Sequence, residues 1–252
     1  MDWIKEFYFN QQKWSDGYTS EITNKDKQKV KLLSEYIGKP PKKILELGAG
    51  GGQFAVAAAN SGYDVTAIEL IDIGIKHMKK LAKKRDKTKG HIHIIKGNFY
   101  EVDLAEDFDV ICYWDGFGIG TDNDQIKLLK RINNWLNSEG SVFIDIYTPW
   151  YWANVAGKEM TFGQYKRKYD FDAERCRMLD TWWPKDRENK KVTQKLRCYS
   201  PADIKLLLKD INLKINLIRP NGAVIDYETL EYKENVKLSE AMSYMVKLIK
   251  TK

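Results

Sequence analysis

The sequence predicts an α/β fold built on a doubly wound, mostly parallel sheet. Between residues 43 and 147, short apolar runs alternate with amphipathic stretches, which is typical of strands wrapped by helices. The first apolar run leads directly into a cluster of glycines, as it does where a strand turns into a helix beside a ligand. After Thr148 the alternation ends and aromatic and charged residues take over. An open sheet followed by an insert is therefore expected.

The elements of the first half follow from hydrophobic periodicity. In order, they are strand 43–47, helix 54–61, strand 64–70, helix 73–84, strand 91–96, strand 109–114, helix 122–136 and strand 141–147. Small residues fill the first helix, and the apolar positions 71, 75, 78 and 82 fall on one face of the second. This βαβαβ-βαβ order is that of an open doubly wound sheet.

The second half predicts an antiparallel insert and then a return to the sheet. Segments 166–172, 175–183 and 191–199 have the composition of strands, and turn-rich residues join the last two. Ser200 is a good capping residue, with Pro201 in the first turn and Asp203 three positions on, so a helix begins there. Segments 213–219 and 243–250 then complete the sheet.

The net charge of +7 comes from one segment. Residues 76–89 hold eight Lys and Arg against one acid, and eight minus one leaves the rest of the chain balanced. Such a segment is either a platform for nucleic acid or a solvated helix face. Its lysines mostly avoid the apolar face of the predicted helix, which favours the solvated face.

Three features limit the class of protein. The 252 residues are enough to bury a core, and the three cysteines lack the Cys-x-x-Cys spacing of a zinc site or a disulfide framework. The first residues lack the apolar region of a signal peptide, and the longest apolar stretch, 54–59, is too short to span a bilayer. We therefore expect a cytoplasmic protein in a reducing setting, with no membrane partner.

The strongest motif is Glu46-x-Gly48-x-Gly50-x-Gly52, between the first strand and its helix. Glycines there let the chain turn sharply and bring its backbone amides close to a ligand. A dinucleotide fingerprint needs a further glycine where Gln53 stands. An acid before the glycines does not help to bind phosphate but suits a cationic cofactor.

Two further signals follow the next strands. Glu69 ends the second strand, 17 residues after Gly52, where a carboxylate can accept hydrogen bonds from both hydroxyls of an adenosine ribose. Segment 96–99 follows the third strand and combines polar groups with an aromatic ring, which can bracket an adenine.

With these motifs, residues 30–148 resemble the class I S-adenosylmethionine-dependent methyltransferases. The resemblance implies that the glycine loop passes under the methionine part of the cofactor, that Glu69 holds the ribose and that Gly97 and Asn98 contact the adenine. The family has aspartate at the position of Asn98, and the extra amino group of Asn98 needs a partner of its own. The cofactor residues implied are Glu46, Gly48, Ala49, Gly50, Gly52, Glu69, Leu70, Gly97, Asn98, Phe99 and Trp114.

The resemblance also implies a division of the chain. The core is a Rossmann-like, seven-stranded sheet, with an antiparallel lid insert after the fifth strand. Residues 1–35 are expected to form an N-terminal helical cap over the active site, 36–148 the cofactor-binding core, 149–199 the substrate lid, and 200–252 the completion of the core sheet. The loop 114–118 is similar to that of family members acting on small molecules.

Aromatic residues concentrate in the cap and the lid. Six lie in residues 1–18 and ten in residues 147–183, so they predict an aromatic-walled pocket for a small, partly apolar or cationic acceptor. They also fit the insert's own core or a homodimer interface. The substrate residues we predict are Tyr18, Phe117, Trp150, Trp152, Tyr165 and Trp183.

Methyl transfer is an in-line displacement, in which proximity and desolvation are the main catalytic contributions. No histidine maps to the carboxyl ends of the strands, but Asp115 and Tyr147 do, as candidates for a base or an orienting group. An amine acceptor is therefore slightly favoured over a hydroxyl. His91 and His93 share a strand face but start the third strand, at the opposite edge, so we expect no metal site.

Two other functions remain open at this stage. One is an RNA-modifying methyltransferase or nucleic-acid-binding protein that uses the basic helix 76–89, although the lid carries only one comparable run, Lys166 to Lys168. The other is a non-catalytic scaffold that binds the cofactor.

Overall fold

The computed structural model describes residues 3–86, 88–105 and 107–251, so Lys87 of the basic segment lies outside the described residues. The helices are α1 (Trp3–Trp14), α2 (Asn24–Ile37), α3 (Gln53–Asn60), α4 (Asp72–Lys83), α5 (Asp122–Trp135), α6 (Pro149–Asn154) and α7 (Pro201–Leu207). The strands are β1 (Lys43–Leu47), β2 (Asp64–Glu69), β3 (Ile92–Lys96), β4 (Phe108–Tyr113), β5 (Leu136–Tyr147), β6 (Glu159–Phe162), β7 (Tyr165–Asp172), β8 (Arg177–Pro184), β9 (Val192–Arg197), β10 (Leu213–Pro220), β11 (Ala223–Asp226), β12 (Glu231–Lys233) and β13 (Ser243–Lys250).

The main sheet has seven strands in the order β10-β13-β5-β4-β1-β2-β3. The strands β1 to β5 pair in parallel, and β13 runs antiparallel to both of its neighbours. The fold class expected from the sequence, a doubly wound and mostly parallel seven-stranded sheet, is confirmed. The chain order reverses between β1 and β4, and ligands of open α/β sheets bind at such a reversal, beyond the carboxyl ends of the strands.

Each face of the sheet buries its own apolar cluster. On one side α5 and α7 pack over residues such as Leu45 and Ile144. On the other, α2, α3 and α4 pack over Ile44 and Phe143. Residues 44 and 45 face opposite sides because side chains alternate along a strand. The helix predicted at Ser200 is confirmed, and its capping box is complete.

The insert forms a separate four-stranded antiparallel sheet, β6-β7-β8-β9. The strand β6 and the hairpin of β11 and β12 were not predicted, because they are only three or four residues long and have no clear alternation. A bridge between Ile119 and Leu196 ties the insert to the loop that follows β4.

The N-terminal residues divide between two places. The helix α1 packs on β9 and α4, over the ends of the parallel strands. The helix α2 packs on α3 instead and buries Val30 and Leu33 in the sheet's flank. Only α1 and the turn after it therefore lie where the sequence predicted a cap. Of the helices that the structure describes, none has the length and apolar character needed to cross a membrane.

Candidate functional site

A cavity of about 780 Å³ lies beneath α1, at the carboxyl ends of β1 to β4. Its volume is within the range of about 300–1,000 Å³ that is usual for ligand pockets. The predicted site residues that line it are Tyr18, Gly48, Gly50, Glu69, Leu70, Gly97, Asn98, Phe99 and Asp115. The cavity thus joins the predicted cofactor residues to one predicted catalytic residue.

The glycine loop forms one wall of the cavity. Gly48, Gly50 and Gly52 all have positive φ, at 64°, 54° and 81°, a conformation that residues with a Cβ rarely adopt. Gly48 and Gly50 expose backbone to the cavity, whereas Gly52 faces the protein, where an added Cβ would lie 2.1 Å from Cγ of Met78. Gly52 therefore sets the fit of the loop against α4.

Glu69 is held at the end of β2 by two backbone donors. Its Oε2 accepts from the Gly50 N–H and its Oε1 from the Ile71 N–H, each at 2.7 Å. Burial raises the pKa of the Glu69 carboxyl, and hydrogen bonds from three backbone N–H groups and from Gln12 partly offset that rise. These donors fix the carboxylate with its oxygens at the wall of the cavity.

Gln12 connects α1 to this carboxylate. Its Oε1 accepts from the Gly74 N–H at 2.9 Å, and its side chain also hydrogen-bonds Glu69. No motif in the sequence marks this contact, and the burial of Gln11 and Gln12 is visible only in the structure. Gln12 was therefore missed.

His77 supports the loop from behind. Its Nδ1 lies 2.9 Å from the Gly51 carbonyl oxygen, and the side chain is buried. Because a carbonyl only accepts, Nδ1 carries the proton in this contact. A structural role for His77 was the expectation from the sequence. His91 is exposed and contacts Asp64 at the far edge of the sheet.

The segment after β3 forms the opposite wall. The Asn98 amino group donates to Glu101 Oε1 at 3.0 Å, and its Oδ1 accepts from the Tyr100 N–H at the same distance. The partner that the amide group needs is therefore supplied by Glu101, which lines the cavity as well.

Asp115 and Tyr147 meet at the other end of the cavity. The Tyr147 hydroxyl donates to Asp115 Oδ1 at 2.8 Å. Solvent reaches the carboxyl from the cavity, but protein surrounds it on the other sides, and this desolvation raises its pKa. The bond from Tyr147 lowers the same pKa and so opposes the rise. Two groups that the sequence placed at strand ends are thus in contact.

Tyrosine rings surround this pair. Tyr8 and Tyr113 line the cavity with Tyr18, and burial raises the pKa of all three phenols. The Tyr8 hydroxyl accepts from Gln194 Nε2 of the lid at 2.6 Å, and the Tyr18 hydroxyl donates to Gln11 at 2.8 Å. Tyr8 and Tyr113 were missed as site residues because each sits in a regular element with no motif.

Four of the predicted cofactor residues lie behind the loop instead of lining the cavity: Glu46, Ala49, Gly52 and Trp114. Glu46 points from β1 toward α2 and α3, and its burial raises its pKa to about 8, against the opposing charge of Lys29. Lys29 Nζ lies 4.5 Å from the centre of the Trp114 ring, which packs on Phe54. The register of the strands directs these side chains into the sheet's flank.

Five of the six predicted substrate residues also lie away from the cavity. Phe117 is buried against Tyr199, and Tyr165 stacks on Trp182 at 4.5 Å. The indole N–H groups of Trp150 and Trp152 donate to backbone carbonyls, at 2.9 and 2.8 Å. Trp183 is buried beneath Lys191. Phe117 belongs to the core of the main sheet. Trp150, Trp152 and Tyr165 belong to apolar clusters that include residues of the insert, as in the alternative that the sequence left open.

The basic residues of α4 point outward. Lys76, Lys79, Lys80 and Lys83 are exposed, and Lys84 pairs with Glu21 at 2.5 Å. Arg85 donates to the Gly90 carbonyl at 2.6 Å. The charge excess therefore lies on the outer face of the helix, whereas the cavity opens at its first residues.

Comparison with known proteins agrees with this geometry. The family described as "methyltransferase domain" matches residues 18–217. A protein of Oceanobacillus iheyensis, named as an uncharacterized methyltransferase, is 30% identical over 146 residues. That match covers 55% of this chain and 65% of the relative, so it spans less than two thirds of the relative's length.

Solved structures show the same fold over nearly the whole chain. The CcbJ methyltransferase of Streptomyces caelestis superposes with a TM-score of 0.72 at 14% identity, covering 97% of this chain and 96% of that one. An S-adenosylmethionine-dependent methyltransferase of Clostridium acetobutylicum gives 0.69 at 14% identity, covering 97% of each chain.

Proposed function

Because the chain belongs to the methyltransferase domain family, we propose that it transfers a methyl group from S-adenosylmethionine to a small-molecule amine. The observation that carries the proposal is the cavity that joins Glu69 and the glycine loop at one end to Asp115, the hydrogen-bond partner of Tyr147, at the other. The match to the methyltransferase domain family confirms the resemblance expected from the sequence, and the amine acceptor, which the sequence slightly favoured, is the proposed part.

The cavity fits the cofactor on three points. Glu69 presents two fixed acceptor oxygens where a ribose would lie, and Gly48 and Gly50 leave room for backbone contact. Asn98 and Phe99 stand on the adenine side. When bound, the cofactor supplies an electrophilic methyl group on a sulfonium ion.

The other end of the cavity suits an amine. A protonated amine is attracted by Asp115 and by the π-faces of Tyr8, Tyr18 and Tyr113, which also suit a sulfonium. The desolvated Asp115 carboxylate can take the proton that the amine must lose, and Tyr147 orients it. The helix α1 excludes water from the reacting groups.

An RNA-modifying or nucleic-acid-binding function has less support. Such a protein needs cations around the opening of the cavity. The basic face of α4 points away from that opening, and in the described part of the lid Lys166 is paired with Glu159.

Calorimetry with S-adenosylmethionine and S-adenosylhomocysteine tests the cofactor directly. We expect micromolar binding of both compounds, and no binding of either would refute the proposal. For the acceptor, formation of S-adenosylhomocysteine is followed with a panel of primary and secondary amines. Asp115→Asn should lower kcat/KM about 100-fold for any amine that reacts, whereas Asp210→Asn, an exposed control, should not.

A further inference from the structure

Arg167 of β7 is a lid residue whose position the proposed function does not explain. Its Nε and Nη2 donate to the two oxygens of Asp180, each at 2.7 Å. The rings of Tyr169 and Trp182 lie on its guanidinium at 4.6 and 4.9 Å. Since Asp180 is fully buried, the guanidinium is fixed in position and orientation.

The third nitrogen of the guanidinium, Nη1, has no such partner. Asp180 uses only Nε and Nη2, and among the residues that the structure describes no acceptor lies within hydrogen-bonding distance of Nη1. The side chain as a whole is 23% exposed. A planar donor that is already oriented loses little entropy when it binds a carboxylate.

Ring contacts place Arg167 beside the acceptor end of the cavity. Tyr169 contacts Trp152 at 4.8 Å, and Trp152 contacts Tyr147, the partner of Asp115, at 5.2 Å. On the other side, Trp182 contacts Phe7 of α1 at 6.4 Å. The guanidinium thus lies under the lid sheet, between α1 and α6. Asp180 lies opposite Gln194 in the pairing of β8 with β9, and Gln194 donates to Tyr8, which lines the cavity. The charge of Arg167 also lowers the pKa of Asp115 and of Tyr18.

The stability of the lid does not by itself explain why Arg167 and Asp180 form an ion pair inside it. Burying Asp180 and Arg167 costs desolvation energy, and apolar residues of similar size would pack the lid equally well. Arg167 instead keeps one unpaired N–H donor group near Asp115, where the methyl acceptor is proposed to bind. This arrangement matches a ligand that carries both a negative and a positive charge.

We propose that the acceptor is an amino carboxylate, whose amine lies at Asp115 and whose carboxylate is bound by Nη1 of Arg167. This inference rests on the proposed function and adds the second charge of the substrate. No bond is made or broken at Arg167, which acts by binding and orientation.

Removing Arg167 alone would leave Asp180 buried without a partner and would unfold the lid. The test variant is therefore the double substitution Arg167→Met with Asp180→Leu, which removes both charges and keeps apolar volume. Its matched control is Lys166→Met with Glu159→Leu, which removes an exposed pair from the same sheet. A second variant, Arg167→Lys, keeps a charge for Asp180 but loses the planar fork.

The probes are amino acids paired with the amines that lack the carboxylate: tyrosine and tyramine, phenylalanine and phenethylamine, lysine and cadaverine, glycine and methylamine. Their binding is measured by calorimetry and ligand-observed NMR in the presence of S-adenosylhomocysteine. At least one amino acid should bind wild type about tenfold tighter than its amine, as expected for a hydrogen bond between charged groups. Both Arg167 variants should lose that preference and the control should keep it, with S-adenosylhomocysteine affinity within threefold throughout.

Three results would overturn the inference. Wild type could prefer no amino acid over its amine, or the preference could survive in both Arg167 variants. In the third, the Arg167 variants lose affinity for S-adenosylhomocysteine as much as they lose it for the amino acid. The last result would assign Arg167 to the cofactor. Failure of wild type to bind S-adenosylhomocysteine would refute the proposed function itself, so the two failures are distinguishable.

Discussion

Substitution of Glu69 by glutamine should weaken cofactor binding by a calculable amount. In the wild type each carboxylate oxygen accepts one backbone N–H at 2.7 Å, and in the proposed complex the oxygens also accept from the ribose hydroxyls. In Glu69→Gln one oxygen becomes an amino group, which cannot accept and also faces a backbone donor. One charge-assisted hydrogen bond is lost and one N–H is left unpaired, at about 2–4 kcal/mol together, or roughly 30- to 1,000-fold in Kd.

Calorimetry with S-adenosylhomocysteine and its 2′-deoxy analogue measures this effect and its cause. Wild type should bind the deoxy compound at least tenfold more weakly, whereas Glu69→Gln should discriminate little. The matched control is Glu35→Gln, an exposed acid on α2. If Glu69→Gln binds within threefold of wild type, or discriminates the deoxy compound equally well, Glu69 does not hold the ribose.

Two further predictions concern the ends of the cavity. In Tyr147→Phe the hydrogen bond that lowers the pKa of Asp115 is gone, so the acidic limb of the kcat/KM profile should move to higher pH. An unmoved limb would show that Asp115 is not the base. Gly52→Ala places a Cβ 2.1 Å from Met78 Cγ, whereas Gly157→Ala, also at positive φ, meets nothing within 4 Å. Urea unfolding should therefore show Gly52→Ala less stable than Gly157→Ala by about 1–3 kcal/mol, and equal stabilities would contradict the packing argument.

The site residues that could be predicted from the sequence are those whose position follows from the order and direction of the strands. Glu69 and Asp115 follow apolar strands, and the ends of parallel strands meet at one edge, so their convergence needs no knowledge of packing. Glu46 and Trp114 were assigned by motif alone, and the face that each presents depends on the register between strands.

The aromatic insert shows a different limit. Composition predicted a cluster of rings, but which rings meet depends on the pairing of β7 with β8, where Arg167 lies opposite Trp182. Long-range pairings of this kind leave no local signal in a single sequence. For the same reason, the hydrogen bond between Gln12 and Gly74 could not be predicted from the sequence.

The position of α1 has a consequence for how the molecule folds. Tyr8 of α1 accepts a hydrogen bond from Gln194, which is 186 residues away in the sequence. Gln12 of α1 accepts one from the Gly74 N–H, which is 62 residues away. Closing loops of that length is entropically costly before their partners exist, so we expect α1 to dock only after the central sheet and the insert have formed. The helix α1 thus precedes the sheet and the insert along the chain but packs after them, and a complete cavity is a product of the final folding step.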